Sequence, residues 1–374
     1  MNRTFKGLVA AGVLAFSGTL VAQQGAPDIT FDSTELLKWD DAHVVGEVGG
    51  VGQNSKGQVF VYTRTGHAYA TIGDNRTFQR GGSRLFQYDA TGKFVRELGQ
   101  DVYGFNVAFG LRVDPQDNVW TIDAGANQVV KFDSDGRVAL VLGRKPEAIA
   151  VRPAAPRGGG PGGGGGRGGQ EVVAGRGGGP GGAPAAALPG AGTPGSTFNR
   201  PSDVAWDKAG NIYIADGMAG NVNRIAKFNK EGNFLKQWGS TGAENGQFSG
   251  PKALAVDAQG NVYVADSGNK RIQVFDGDGN YKSQFTGVGI PLAMCMSTGA
   301  TQFLYVSHSG DKDGMEDATI YKVALDGKVV GKFGSAGRQM KQFGLANSID
   351  CRNENELLVG ELTNWRVQKV SLKK

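Results

Sequence analysis

The sequence predicts an all-β protein, a six-bladed β-propeller made of four-stranded antiparallel blades. One stretch, residues 248–279, alternates β-prone runs with turn clusters rich in Gly, Asn and Asp, as a meander of antiparallel strands does. Five further stretches repeat this pattern. The equivalent positions Asp216, Asp266, His308 and Glu361 follow one another at intervals of about 40 to 55 residues, a spacing typical of propeller blades. Because one such sheet cannot cover its own faces, the copies must stack on one another.

The best-preserved unit shows each element of a blade. A short apolar run is reversed by the turn cluster at residues 257–261, and two further β-prone runs follow, each ending in a tight turn. A fourth run can serve as the outer strand. The four predicted strands are residues 253–256, 262–265, 271–275 and 281–285.

The other five units show the same order of strands and turns. They cover residues 57–92, 111–136, 201–232, 291–327 and 347–370. The last unit has no outer strand before Lys374. Residues 35–39 resemble the outer-strand segment 234–238, so we expect an N-terminal strand to close the ring and remove an exposed sheet edge.

Residues 1–26 have the pattern of a secretory signal peptide. Arg3 and Lys6 precede an apolar run at residues 8–16, and small residues follow. This run is shorter than the roughly 20 residues that a membrane-spanning helix needs. We therefore expect a secreted or periplasmic protein whose mature part, residues 27–374, is a single propeller domain without a membrane span.

Residues 153–197 interrupt the propeller between its second and third units. The segment is mostly Gly, Pro and Ala with scattered Arg, and it cannot bury enough apolar surface to offset its backbone entropy. It is interpreted as a disordered insertion. An arm that binds nucleic acid is the alternative, but no aromatic side chains are interleaved for stacking on bases. The net charge of +5 is concentrated in this segment and in the leader, so nucleic acid is not an expected partner.

Two cysteines, Cys295 and Cys351, fall in predicted innermost strands of neighbouring units. They could form one disulfide in an oxidising compartment. Small buried thiols suit the same strands equally well, and a bridge also requires a suitable Cα separation and Cβ direction. Free thiols are therefore the favoured interpretation, and the disulfide is the alternative.

Repeated short patterns indicate a family resemblance. The elements P-x-x-x-A-V-D, G-N-V-Y-V-A-D and N-x-R-I-x-x-F resemble those of NHL-repeat propellers. Residues 46–51, 63–67 and 120–123 resemble peptidyl-α-hydroxyglycine α-amidating lyases more specifically. That resemblance implies a six-bladed propeller with a catalytic zinc ion held by three histidines at the central channel, together with a tyrosine and an arginine.

The positions that match the zinc ligands carry other residues in this sequence. They are Phe109, Lys252 and Asn347, and Met218 stands where the tyrosine is expected. Arg64 matches the arginine, and His67 lies nearby. Because a phenyl ring and an ammonium group cannot ligate zinc, the resemblance implies the fold but argues against the zinc chemistry. No cofactor is predicted.

Two other groups of polar residues allow a catalytic or a structural interpretation. His308 could be a ligand or base at the channel mouth, but a loop histidine is favoured, and the calcium-loop likeness of residues 311–314 is weak. Asp123, Asp216, Asp266 and Glu361 end equivalent strands. Paired carboxylates can serve as acid and base, but a group that every blade repeats is more consistent with a structural role.

The sequence thus favours an exported binding or scaffold propeller over an enzyme, and leaves both functions open. Its ligand would be a peptide, a glycan or a small molecule, or else a protein partner, held at the central face. The expected ligand-binding residues are Arg64, His67, Met218, Lys252, His308 and Asn347. The alternative is a lyase-like enzyme with metal-independent chemistry carried by Arg64, His308 and Lys252. In it, Lys252 acts as nucleophile or base only if burial lowers its pKa.

Overall fold

The computed structural model describes residues 25–38, 40–65, 69–71, 77–79, 82–100, 102–144, 197–218, 222–308, 318–353 and 355–373. Several sequence predictions lie outside these residues. They are the signal peptide up to residue 24, the insertion up to residue 196, His67 and the segment 311–314.

Six four-stranded antiparallel sheets confirm the predicted blades. Blade 1 contains β2 (Glu47–Gln53), β3 (Val59–Arg64), β6 (Ser83–Tyr88) and β7 (Phe94–Leu98), and the small hairpin of β4 (Tyr69–Thr71) and β5 (Thr77–Gln79) lies between β3 and β6. Blade 2 contains β8 (Ala108–Val113), β9 (Val119–Asp123), β10 (Gln128–Phe132) and β11 (Val138–Gly143). Blade 3 contains β12 (Pro201–Trp206), β13 (Ile212–Asp216), β14 (Arg224–Phe228) and β15 (Phe234–Trp238).

The other three blades follow the same order along the chain. Blade 4 contains β16 (Pro251–Val256), β17 (Val262–Asp266), β18 (Arg271–Phe275) and β19 (Tyr281–Phe285), with a 3₁₀ turn at Ser267–Asn269. Blade 5 contains β20 (Pro291–Met296), β21 (Phe303–His308), β22 (Ile320–Ala324) and β23 (Val329–Phe333). The short strands β24 (Ser335–Ala336) and β25 (Gln342–Phe343) pair in parallel before blade 6. Blade 6 contains β26 (Ala346–Asn353), β27 (Glu356–Glu361), β28 (Arg366–Leu372) and β1 (Phe31–Glu35).

The first strand of each blade faces the centre of the ring. These inner strands, β2, β8, β12, β16, β20 and β26, contact one another in succession, and β26 contacts β2. Each of the six blade junctions has its own hydrophobic cluster with side chains from both neighbours. The ring is therefore held by six separate cores that surround a central channel. No helix in the described part of the chain is long and apolar enough to span a membrane.

The N-terminal strand closes the ring as predicted, but from a different segment. The outer strand of blade 6 is Phe31–Glu35, where Phe31 pairs with Leu372 and Glu35 with Gln368, and not residues 35–39. Phe31 decides this register because its ring packs on Phe333 and Phe343, with centroids 5.1 Å and 6.4 Å away. The leucines that made residues 35–39 look like a strand pack instead into the junction of blades 6 and 1.

Shortening the Phe31 side chain should weaken the closure of the ring. Phe31→Leu is expected to lower the free energy of unfolding by about 1 kcal/mol, because the aromatic contacts to blade 5 are lost. Chemical denaturation would measure this change. Leu235→Ala is the control, since Leu235 is 49% exposed on an outer strand, and it should change stability by less than about 0.5 kcal/mol. Equal effects of the two substitutions would contradict a closing role for Phe31.

The repeated carboxylates have a structural role, as favoured from the sequence. Each accepts a backbone N–H from the loop that enters its own blade. The backbone N–H of Asn106 donates to the Asp123 carboxylate, and that of Asn199 donates to Asp216. In the same way, the N–H of Ser249 donates to Asp266 and that of Gly344 donates to Glu361. In three blades the carboxylate also pairs with an arginine on the next strand: Arg224, Arg271 and Arg366. A buried carboxylate that satisfies loop amides in several blades fixes the loops between blades.

The favoured interpretation of the cysteines is wrong. Cys295 and Cys351 form a disulfide with a Cα–Cα distance of 5.9 Å. It joins β20 to β26, the inner strands of blades 5 and 6. The sequence could not decide this, because bridging depends on the separation of two inner strands that only the closed ring sets.

Candidate functional site

A β-bulge near the start of each inner strand shapes the channel. The register between the inner strand and its neighbour shifts at an equivalent place in all six blades. A bulge gives one strand an extra residue and re-aims its side chain. Three of the residues within these shifts, Phe109, Lys252 and Asn347, line one narrow cavity of about 10 Å³. These are the three positions that the family resemblance leads us to expect in place of zinc ligands, and the structure places them around one cavity.

Two cations line this cavity, and whereas Arg112 is paired with Asp203, Lys252 has no ion-pair partner among the described residues. Its Nζ atom lies 5.5 Å from the centroid of the Phe109 ring. Burial, with a smaller contribution from repulsion by Arg200, lowers the pKa of Lys252 to about 8. No described residue forms an ion pair with Lys252 or with Arg200. Lys252 therefore has no described counter-ion, and neither has Arg200, whose charge acts on it.

Asn347 and Arg64 hold neighbouring blades together at this end of the channel. The Asn347 side-chain amide donates hydrogen bonds to the carbonyl oxygens of Gly49 and Phe109, both at 2.7 Å. Arg64 pairs with Glu47 at 3.0 Å and donates to the Ala108 carbonyl at 2.7 Å. Both side chains are thus already engaged, and they position the wall of the site around Lys252.

Two other predicted site residues, His308 and Met218, do not line this cavity. His308 ends β21, and its Nδ1 atom accepts a hydrogen bond from the Ile290 N–H at 2.8 Å, a loop role like that of the equivalent carboxylates. The backbone N–H of Met218 donates to the Arg200 carbonyl at 3.2 Å. Neither residue is among those that line the narrow cavity with Lys252.

Sequence reasoning missed the buried ion pair that joins the inner strands of blades 2 and 3 below Lys252. The Arg112 guanidinium donates to both carboxylate oxygens of Asp203, at 2.9 and 2.6 Å. It also donates to the carbonyl oxygens of Met294 and Ile349. Arg112 therefore ties its own blade 2 to blades 3, 5 and 6. The signal was available: each residue is a charge within an otherwise apolar inner strand, and such charges are seldom buried without a partner.

The donor set at the channel mouth does not fit a zinc ion. At the three positions compared with zinc ligands, the side chains are a phenyl ring, an ammonium group and an amide whose nitrogen faces two carbonyls. The Asp203 carboxylate also lines the cavity, but it is paired with Arg112. Zinc takes nitrogen, sulfur or carboxylate oxygen ligands. In the described ranges, no three His, Cys, Asp or Glu side chains come together in a way that could hold a metal ion.

Comparisons with known sequences find the same repeat in this chain and similarity to two amidating proteins. The NHL repeat family matches residues 248–275. The chain is 28% identical over 240 residues to peptidyl-alpha-hydroxyglycine alpha-amidating lyase 1 of Drosophila melanogaster, which covers 58% of this chain and 35% of that protein. It is 29% identical over 212 residues to peptidyl-glycine alpha-amidating monooxygenase B of Xenopus laevis, which covers 54% of this chain and 19% of that protein. The match thus spans only about a fifth to a third of these two relatives.

Solved structures resemble the whole propeller. A gluconolactonase from Xanthomonas campestris superposes with a TM-score of 0.57 at 14% identity, over 94% of this chain and 96% of that one. A streptogramin B lyase superposes with a TM-score of 0.51 at 11% identity, over 92% of this chain and 98% of that one. At such low identity the likeness shows the fold alone.

Proposed function

We propose that this chain is an exported propeller that binds an anionic group of a peptide or small ligand at the channel mouth. The observation that carries the proposal is the Lys252 ammonium, which lies in the channel without an ion-pair partner among the described residues. A cation placed in a concave, partly dry site attracts a negatively charged group more strongly than one in water. The carboxylate of a peptide C-terminus or of a small acid has the required charge.

Export is part of the same proposal, and the disulfide supports it. Cys295 and Cys351 form a bridge, and such bridges persist mainly in oxidising compartments such as the periplasm or the cell exterior. The leader-like pattern of residues 1–26 points the same way.

The binding proposal predicts a preference for a free carboxylate that depends on Lys252. A short peptide with a free C-terminus should bind at least tenfold more tightly than the same peptide with a C-terminal amide, as measured by calorimetry at pH 7. Lys252→Met should abolish this preference. Lys322→Met is the matched control, because Lys322 also lies over aromatic rings, 4.2 Å from the centroid of Phe303, but on another strand of another blade.

The pKa of Lys252 also sets the pH dependence of this binding. Lys252 is charged below its pKa of about 8 and neutral above it. Affinity for the free carboxylate should therefore be constant up to about pH 7 and fall by up to tenfold per pH unit above pH 8. Equal binding of acid and amide, or an affinity that Lys252→Met leaves unchanged, would contradict the proposal.

Lys252→Met should also make the protein more stable. This result would distinguish a lysine that binds a ligand from a lysine that stabilises the fold. The folded pKa lies below the unfolded value of about 10.5, so burial of the charge costs stability at all pH values below about 8. Lys252→Met is expected to raise the free energy of unfolding by about 1 to 2 kcal/mol at pH 7, after allowance for partial solvent screening. The gain should shrink to zero as the pH approaches 10.5. A loss of stability would show that the lysine has a structural role.

An enzyme is the second candidate, and the pKa of Lys252 favours it. With a pKa of about 8, the amine is partly neutral near neutral pH and can accept a proton. The matched relatives include an amidating lyase. A peptide that ends in α-hydroxyglycine is the decisive substrate. Turnover that survives a chelator and is lost in Lys252→Met would favour the enzyme, whereas the binding proposal predicts no turnover.

A further inference from the structure

The channel has a second cavity at its opposite end. Its walls come from the ends of the inner strands, and its volume is about 360 Å³. This lies within the range of about 300 to 1,000 Å³ typical of small-molecule sites. Trp206, Val256 and Met296 belong to its largely apolar wall, and Asp350 and Arg352 supply charges.

The Arg112–Asp203 pair separates this lower cavity from the channel mouth. Arg112 lines both cavities. Its guanidinium is held in place by Asp203 and by two carbonyl oxygens from other blades. A ligand in the lower cavity therefore lies on the other side of this guanidinium from Lys252, and the two sites can be tested separately.

Among the described residues, the ion pairs around the lower cavity do not include one of its carboxylates, that of Asp350. Arg112 pairs with Asp203 at 2.6 Å, and Arg352 pairs with Asp117 at 3.4 Å. The charge of Asp350 acts on the Arg112 guanidinium without direct contact, and Asp350 forms no ion pair with any described residue. It accepts hydrogen bonds only from the backbone N–H groups of Gln53, at 2.9 Å, and Arg352, at 3.0 Å. Because an ionised carboxylate can accept about four hydrogen bonds, Asp350 has capacity left for a ligand.

The apolar wall includes an aromatic surface. Trp206 stacks on buried Trp120, with ring centroids 5.8 Å apart, and also lines the cavity. An indole ring that is fixed by another indole gives a rigid surface for the apolar part of a ligand. It can also attract a cation through its ring face.

We propose that the lower cavity is a second binding site, for a small amine with an apolar body. The ammonium group of the ligand pairs with Asp350, and its apolar body lies against Trp206 and the neighbouring aliphatic side chains. This site has the opposite charge preference to the channel mouth, and it does not depend on the function proposed for Lys252.

The test compares two probes of similar size and opposite charge, 2-phenylethylamine and 3-phenylpropionate. Calorimetry at pH 7 should show that the amine binds wild-type protein more tightly than the acid does. Binding of the amine in the lower cavity should also quench tryptophan fluorescence. Asp350→Asn should weaken binding of the amine at least tenfold, since the ion pair is lost while an acceptor remains for the Gln53 N–H. Lys252→Met should leave binding of the amine unchanged.

A second variant keeps the test decisive if Asp350→Asn is poorly folded. Val256→Phe places a larger side chain on the cavity wall without changing any charge, and it should also prevent binding of the amine. Thermal unfolding checks that each variant is folded. Binding of the amine that survives both substitutions, or no binding of the amine to wild-type protein, would overturn the proposal. Loss of acid binding in Lys252→Met bears only on the channel mouth, so the two proposals can fail separately.

Discussion

Arg112→Met is expected to lower the free energy of unfolding by about 3 to 5 kcal/mol, the range measured when one partner of a buried ion pair is removed. The substitution leaves the buried Asp203 carboxylate without its guanidinium. It also removes the hydrogen bonds to the carbonyl oxygens of Met294 and Ile349. Because these contacts join four of the six blades, the loss should appear as one cooperative destabilisation in urea or guanidinium denaturation.

A double variant separates the unpaired charge from the lost packing. Arg112→Met with Asp203→Asn removes both charges while the Asn oxygen can still accept the Leu254 N–H that Asp203 accepts at 2.9 Å. It should recover more than half of the stability lost in Arg112→Met, as neutral replacements of buried pairs often do. Arg137→Met is the control, since Arg137 and its partner Asp135 are 77% and 66% exposed, and its effect should be within about 0.5 kcal/mol. A loss below about 1 kcal/mol for Arg112→Met would contradict its role as the cross-channel tie.

Removal of the disulfide is expected to have the second large effect. Cys295 and Cys351 are 56 residues apart in sequence, and closing a loop of this length restricts the unfolded chain by about 4 kcal/mol in the chain-entropy model. The double substitution Cys295→Ala and Cys351→Ala should therefore lower the free energy of unfolding by about 2 to 4 kcal/mol. Wild-type protein in excess dithiothreitol should unfold at nearly the same denaturant concentration as the double variant does, with or without dithiothreitol.

The reductant provides the control for this experiment. The double variant has no thiol left, so dithiothreitol should not change its unfolding midpoint. A wild-type midpoint that reductant leaves unchanged would contradict a stabilising bridge. The same bridge lies in the wall of the lower cavity through Cys295, so binding of 2-phenylethylamine should be measured in both redox states.

The repeat of strands and turns made the fold predictable. Short apolar runs, Gly–Asn turns and a period near that of a propeller blade are local features, and each of the six blades was found where its unit stands in the sequence. The site was predictable in part for the same reason. Phe109, Lys252 and Asn347 follow equivalent turns into equivalent inner strands, so the repeat places them around one channel.

Other features depend on distances between blades, which no local pattern contains. The residues 35–39 looked like the closing strand, but the fit of the Phe31 ring between two aromatic side chains of other segments selects Phe31–Glu35. The cysteines were read as free thiols although they form a bridge. Arg112 and Asp203 are 91 residues apart in sequence and meet only where the inner strands of blades 2 and 3 lie side by side.

The sequence by itself therefore determined the blade, the number of blades and the three residues that face one another at the channel mouth. Only the tertiary structure decided the closing register, the disulfide, the Arg112–Asp203 tie and the position of Asp350 in the wall of the lower cavity. The physical reason is the range of the interactions. Strand pairing and turns are set by residues close in the chain. The partner of a buried charge depends instead on which blades lie next to each other in the closed ring.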